Sequence, residues 1–216
     1  MSRNRALTNR STKVIHFMAT LVLATRNAGK IAEMQRLMSI HAPAIKVVSV
    51  AEFNVADVEE TGSTFEANAL LKAEQICRET KLPALADDSG LCVDALGGNP
   101  GILSARWSGV HGNDIANIAK LLDQLSQVAD EKRSAYFVSV IAISTPDGRN
   151  MTVRGEIKGN ITRAPRGHGG FGYDPVFQPS GYEITFGEMD PALKDEISHR
   201  GQALREIAPK ISPFLG

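Results

Sequence analysis

The chain has 216 residues, 43% of them hydrophobic, with 24 basic and 24 acidic side chains. That length buries one substantial core, and the charge balance excludes a whole-molecule pull toward nucleic acid or a membrane surface, so an anionic substrate must be held by a local cluster. No apolar run nears the roughly 18 residues that cross a bilayer, which argues against a membrane partner.

Residues 1–19 carry Arg3, Arg5, Arg10 and Lys13, and no acid appears before Glu33. A mitochondrial transit peptide has a faintly similar composition. A disordered basic tail, or a working start at Met18, is the plainer reading, because the strand signal begins only at Leu21. Residues 20–216 then form a single domain.

Leu21-Val22-Leu23-Ala24 reads as a short buried strand, followed by the Asn27-Ala28-Gly29 turn. A helix comes next, with Ile31, Met34, Leu37 and Met38 on one face. Residues 45–50 are a second strand. Ser63-Thr64-Phe65-Glu66 is a capping-box pattern opening a helix to about Thr80, with Phe65, Ala69, Ala73, Ile76 and Cys77 as its apolar stripe. Leu82-Pro83-Ala84-Leu85-Ala86 reads as a buried strand ended by a Ser89-Gly90 turn, and residues 91–96 as a further strand. Asn113 or Asp114 caps a helix whose core face is Ile115, Ile118, Leu122 and Leu125. Residues 135–144 and 151–157 are β-rich runs joined by the hairpin turn Thr145-Pro146-Asp147-Gly148. A short strand is expected near residues 175–177 and a last helix from about Ser198. Helices and strands alternate around one hairpin, so the expected class is α/β with a mixed sheet flanked by helices. Cys77 falls on a helix's apolar face and Cys92 in a strand, as small core hydrophobes of a reducing cytoplasm.

Ala86-Asp87-Asp88-Ser89-Gly90 is the most telling stretch. Acids at the end of a buried strand cost desolvation energy unless a cation satisfies them, and a hard divalent metal takes carboxylate oxygens. The plain alternative is an Asx turn. Glu59-Glu60-Thr61-Gly62 is a second acidic pair that either serves a helix dipole or shares a metal with the first. Thr25-Arg26-Asn27-Ala28-Gly29-Lys30 joins a strand to a helix, where free N–H groups favour a phosphate. It is not a Walker A motif, since the upstream glycine is missing and Ile31 stands where a Ser or Thr would hold magnesium. Lys72, on the helix that follows the Glu59-Glu60 pair, reads as an ordinary solvated lysine. Phe171-Gly172-Tyr173-Asp174-Pro175 ends a glycine-rich loop; two aromatics with an acid suit a purine, and the plain alternative is a flexible connection with core aromatics. Lys194, His199 and Arg200 put three donors near the start of the last helix, as a binding set or as a solvated cap region with a structural His199.

Taken in order, Thr-x-Asn-x-x-Lys, Glu-Glu-Thr-Gly, Asp-Asp-Ser-Gly-Leu, Gly-Gly-Phe-Gly-Tyr-Asp-Pro and Ser-His-Arg-Gly closely resemble the inosine triphosphate pyrophosphatase family. Residues 64–69 and 100–106 are similar to it as well, and the likeness runs from about Leu21 to about Ile207. Arg26 departs from the small or polar residue usual there.

The resemblance implies an elongated mixed sheet with two lobes and the active-site cleft between them. It implies hydrolysis of ITP, dITP or XTP between the α- and β-phosphates, which cleanses the nucleotide pool. Mg²⁺ would be held by Glu60 and Asp88, with Asp88 also positioning or deprotonating water beside Asp87. Lys30 and Lys72 would neutralise phosphoryl charge, and Ser89 would donate to a phosphate oxygen or orient the water. Thr25, Arg26, Asn27, Ala28, Gly29 and Lys30 would bind phosphate. Phe171, with Gly172, Tyr173 and Asp174, would hold the base. Lys194, His199 and Arg200 would read O6, which hypoxanthine and xanthine present as an acceptor and adenine replaces with an amine. It further implies a cytoplasmic homodimer, for which residues 100–107 are the candidate interface, with no stable nucleic-acid partner.

Two rival readings remain at this point. One is a pyrophosphatase for pyrimidine or other modified nucleotides, which a dTTP comparison would separate. The other is a non-catalytic nucleotide or RNA-binding module, which would need no paired acids and would carry a basic charge balance.

Overall fold

The structure, a computed structural model, describes residues 19–216. The basic tail therefore lies outside the described residues except for Ala19, which opens the first strand.

In chain order the elements are β1 (Ala19–Leu23), α1 (Ala28–His41), β2 (Ile45–Ser49), α2 (Phe65–Thr80), β3 (Ala84–Val93), α3 (Asp114–Gln124), β4 (Ser134–Ser144), β5 (Asn150–Ile161), β6 (Phe177–Pro179), α4 (Pro191–Ile197) and α5 (His199–Leu215). The six strands form one sheet in the order β2-β1-β3-β4-β5-β6. β1 runs parallel to β2 and β3, and the other pairs are antiparallel. The expected mixed sheet flanked by helices is borne out.

Each helix packs where its apolar stripe requires. Met34, Leu37 and Met38 of α1 meet Leu204, Ile207 and Ile211 of α5 over one sheet face. Ala69, Ala73, Ile76 and Cys77 of α2 cover the other. A third cluster gathers Leu91, Val93 and Leu121 with the aromatic rings of Phe137, Phe177 and Phe186 at the far end of the long strands. The interior is thus divided, and β3 passes from one part to the other. Leu85 belongs to the α1/α5 cluster, Leu91 to the far one, and residues 87–90 fall between them.

Several sequence expectations are corrected. Ser89-Gly90 is not a turn: β3 runs unbroken through it, paired residue by residue with β4 from Ala84↔Ser144 to Val93↔Ala135. The ladder along β4, buried over most of its length, outweighs local turn propensity. Gly90 serves a close approach instead, since a Cβ there would stand 2.3 Å from the Gly101 carbonyl oxygen and 2.6 Å from Ser104 Oγ. The cap of α2 is Thr64, whose hydroxyl accepts from Ala67 N, one residue later than the pattern suggested. On α3 the core face is Ile118 and Leu121, while Ile115 is 84% exposed. α4 was unforeseen, although Asp190 caps it and Pro191 opens it, the start signal of a helix. The strand near residues 175–177 lies at Phe177–Pro179, after a short turn.

Candidate active site

Topology places the site. α1 follows β1 on one face and α2 returns to β3 on the other, so the connections part between β1 and β3. A crevice opens outside the carboxyl ends of parallel strands where their connections diverge. A cavity of about 710 Å³ lies there, lined by residues 24–27 and Lys30, the segment 56–60, Lys72, residues 87–89, and Arg106 and His111. A narrower one of about 90 Å³ adjoins it, lined by Phe171, Tyr173, Asp174, Lys194, His199 and Arg200 among others. Asn27, Lys30, Ser89 and Ala105 belong to both, so they mark the junction.

The turn after β1 leaves backbone donors facing the cavity mouth. Thr25 Oγ1 accepts from Asn27 N at 3.2 Å, and Asn27 Oδ1 caps Lys30 N at 2.9 Å. The leading N–H groups of α1, those of Ala28 and Gly29, have no turn before them to bond to and point toward the dipole's positive end. Gly29 has a second role, because a Cβ on it would stand 2.4 Å from the Phe171 ring. Arg26 turns toward the opposite wall, donating to Asp57 Oδ1 at 2.6 Å and to the Val55 carbonyl at 2.7 Å.

Strand alternation sends the adjacent acids to opposite faces. Asp88 points to α2 with Ala84 and Ala86, and Asp87 points to α1 and α5 with Leu85. Glu60 Oε1 and Asp88 Oδ1 both accept from Lys72 Nζ, at 2.8 and 2.7 Å. Two carboxylates from distant segments therefore already bracket one cation. Among the described residues no group of three or more His, Cys, Asp or Glu gathers as a metal cluster. A two-carboxylate set fits a hard divalent ion that keeps waters and takes phosphate oxygens; it does not fit a closed structural site.

The electrostatics separate these acids. Burial raises the Asp88 pKa above its ordinary 3.8, and Lys72 and Lys30 do not cancel that effect. Burial works the same way on Glu60, yet Lys72 and Arg106 outweigh it and bring the pKa to about 2. After burial, the neighbour that disfavours a charged Asp88 is Glu60. Burial also opposes ionisation of Asp87, but Arg200 and Lys30 hold it well below 3.8. For Lys72, burial opposes the charge while Asp88 and Glu60 together raise its pKa. Desolvation dominates at Lys30 and lowers it.

The smaller pocket holds the expected donors. Arg200 donates through Nη2 to Ser89 Oγ at 2.8 Å and through Nη1 to Glu33. Lys194 Nζ reaches Glu33 Oε1 at 2.6 Å and also Asp174. Asp174 additionally accepts from Phe171 N at 2.8 Å, so its carboxylate fixes the loop end. Tyr173 is buried and donates to the Ser104 carbonyl at 2.9 Å, and Gly172 N donates to Asp114 at 2.7 Å. The Phe171 ring lies 5.1 Å from Lys194 Nζ and 5.6 Å from the Arg200 guanidinium. His199 stacks on Phe137 at 4.7 Å, and its buried Nδ1 has no hydrogen-bond partner. Burial and then Arg200 push its pKa well below 6.5, so it presents one N–H and one lone pair rather than two donors.

Three side chains here were missed from sequence. Glu33 ties Lys194 to Arg200, and its signal was an acid on the apolar side of α1, beside Met34. Asn68, buried on α2, reaches Asp88 Oδ2 at 3.4 Å and lies four residues before Lys72 on the same face. Arg106 donates to Glu60 Oε2 at 3.1 Å.

Comparison with known proteins identifies the family. The Ham1 family model matches residues 21–210. A dITP/XTP pyrophosphatase of Streptomyces avermitilis is 49% identical over 200 residues, 92% of this chain and 100% of the relative. One of Nocardia farcinica is 51% identical over 197 residues, covering 90% and 96%. The solved structure of a HAM1 protein from Coxiella burnetii superposes with a TM-score of 0.81 at 43% identity, over 91% of this chain and 100% of that one. The Staphylococcus aureus Ham1 protein gives 0.79 at 39% identity, over 90% and 99%. With the resemblance read from its motifs borne out across nearly the whole chain, the protein belongs to the Ham1 family.

Proposed function

We propose that this enzyme hydrolyses ITP, dITP and XTP between the α- and β-phosphates, releasing the monophosphate and pyrophosphate, with Mg²⁺ held by Glu60 and Asp88. The observation that carries the reading is the convergence of Glu60, Lys72, Asp88 and Lys30 on one crevice that continues into a donor-lined pocket. Relatives about half identical to this chain bear the name dITP/XTP pyrophosphatase.

In this mechanism the triphosphate lies along the larger cavity and the base enters the smaller one beside Phe171. An ion held by Glu60 and Asp88 would, when bound, neutralise phosphate charge and polarise a water. Asp88, whose burial favours the protonated form, accepts a proton from the attacking water as the new oxygen–phosphorus bond forms. The bond from the α-phosphorus to the bridging oxygen breaks, and pyrophosphate leaves. Lys30, Lys72 and the first amides of α1 stabilise the oxygens on which charge grows, an effect that costs about 10²–10³ in rate when one such group is lost. Ser89, already bonded to Arg200, orients a phosphate oxygen or the water. At the base, Arg200, Lys194 and the His199 N–H bond to O6, and adenine's amine meets donors there instead.

Phosphate release should be measured for ITP, dITP, XTP, ATP, GTP and dTTP with added pyrophosphatase, with and without Mg²⁺. The reading expects turnover of the first three only with metal, at least about 10²-fold above ATP. Comparable rates for dTTP or ATP would sink it.

Dimerisation through residues 100–107 and their neighbours is part of the same proposal. Leu103, Val110 and Ile115 are large apolar side chains left exposed around that segment, the composition of an interface rather than of a free surface. Light scattering should return twice the chain mass, and Ile115→Glu should halve it. In this reading the enzyme works in the cytoplasm; among the described residues no helix is long and apolar enough to cross a membrane.

A further inference from the structure

Asp87 sits beside the proposed metal acids yet does something different. Its side chain is fully buried, and its two oxygens face four donors. Oδ1 accepts from Ser139 Oγ at 2.5 Å. Oδ2 accepts from Ser89 Oγ at 3.0 Å, lies 2.7 Å from Lys30 Nζ, and lies 3.3 Å from Arg200 Nη2. One carboxylate oxygen therefore joins a lysine at the junction of the cavities to the guanidinium of the base pocket. Arg200 lines only the smaller cavity, while Lys30 lines both. The other terminal nitrogen of Arg200 is taken by Glu33 of α1. The guanidinium is thus clamped between two acids and has a set distance to Lys30.

That distance matters because reaction needs the anhydride in place to within about an ångström, and remote binding energy is what can put it there. A rigid spacer between base reader and phosphate lysine converts a correct bond at O6 into correct placement of the α-phosphorus. We propose that Asp87 is this spacer: a positioning residue that makes turnover, and not only affinity, depend on the base. A purine without O6 then settles out of register with Lys30 and turns over slowly even when bound. The inference rests on the substrate reading given above.

The test measures kcat and KM separately for ITP and ATP in the wild type, Asp87→Asn and Ser139→Ala. Asp87→Asn should lower kcat for ITP by about 10²-fold and that for ATP by under about threefold, so the kcat ratio collapses by tenfold or more. The Mg²⁺ concentration giving half-maximal rate should stay within about twofold, because Asp87 faces away from Glu60 and Asp88 across the sheet. Ser139→Ala keeps every charge and only loosens the carboxylate, so a ratio loss of about threefold is expected. It decides the matter if the buried-charge change impairs folding. Equal loss for both nucleotides, or an unchanged ratio in Ser139→Ala with the wild-type preference intact, overturns the spacer role. A wild type that does not prefer ITP over ATP overturns the substrate reading and the inference with it.

Discussion

Adjacent in sequence, Asp87 and Asp88 have opposite proton affinities because the pleat gives them different neighbours. Asp88 meets one lysine shared with Glu60, whereas Asp87 meets Lys30 and Arg200 outright. Since Asp88 holds its proton more tightly than an ordinary carboxyl, it must lose that proton to accept another from water or to bind a cation. The acid limb of kcat/KM should therefore lie above pH 3.8, falling about tenfold per pH unit, and should move to lower pH as Mg²⁺ rises. A limb at or below that pH, insensitive to metal, would remove Asp88 from the base role, and Asp88→Asn should leave less than about 10⁻³ of the rate. His199 titrates far below neutrality, so base preference should stay flat between about pH 6 and 8. At this scale the sequence named the acids and donors, since charged residues in the middle of apolar patterns stand out. It did not disclose which acid keeps its proton, because that depends on partners supplied by other segments.

Among the elements, the instructive case is β3. Asp-Asp-Ser-Gly has turn chemistry, yet ten residues of ladder with β4 keep it extended. Gly90 is needed because the Gly101–Arg106 turn crosses there. Gly90→Ala should push that turn outward, costing about 1–3 kcal/mol of stability and raising KM through Ala105 and Ser104, which line the smaller cavity. Denaturant titration alongside steady-state kinetics checks both, and a variant as stable as the wild type would contradict the contact. The helices were readable from an apolar stripe, as in α1 and α2, or from a start signal, as at Ser198 before α5. Lys72 and Asn68 were hidden within such a stripe: a helix face is known from its apolar members, and its polar ones look solvated until the opposing strand is placed. The apolar period predicts Ile115 in the core of α3, yet it is exposed, because periodicity does not distinguish an apolar residue that packs inward from one left at the surface.

For the whole molecule, ion pairs, most of them buried, link α1, α4 and α5 to one another and to the sheet. Glu33 joins Lys194 and Arg200, Asp87 joins Arg200 and Lys30, and Arg36 grips Asp195 in a fork at 2.5 and 2.8 Å. Burial alone would raise the Glu33 pKa, but Arg200 and Lys194 lower it from 4.5 to about 2. A carboxylate with a depressed folded-state pKa adds stability that is complete above the unfolded value and disappears as pH falls through the folded one. Stability should therefore drop between about pH 4.5 and 2, with Glu33 accounting for on the order of 3 kcal/mol. Thermal melts across that range check it. Glu33→Gln should be less stable at neutral pH, since Lys194 and Arg200 each lose one of their two acids, and should show a flatter acid dependence. A wild type equally stable at pH 7 and 3 would refute the account.

Length, hydrophobic period and the order of short polar motifs were enough to set the α/β class, most elements, the family and the identities of the acids, lysines and donors. These are local quantities, carried by residues close together in the chain. Which of them share one cation, which face opposite sides of the sheet, and how Glu33, Asn68 and Arg106 enter the site were decided only when β1 and β3 came side by side. The reason is physical: desolvation and pairing act over a few ångströms in space, and the partners that set them lie up to 167 residues apart.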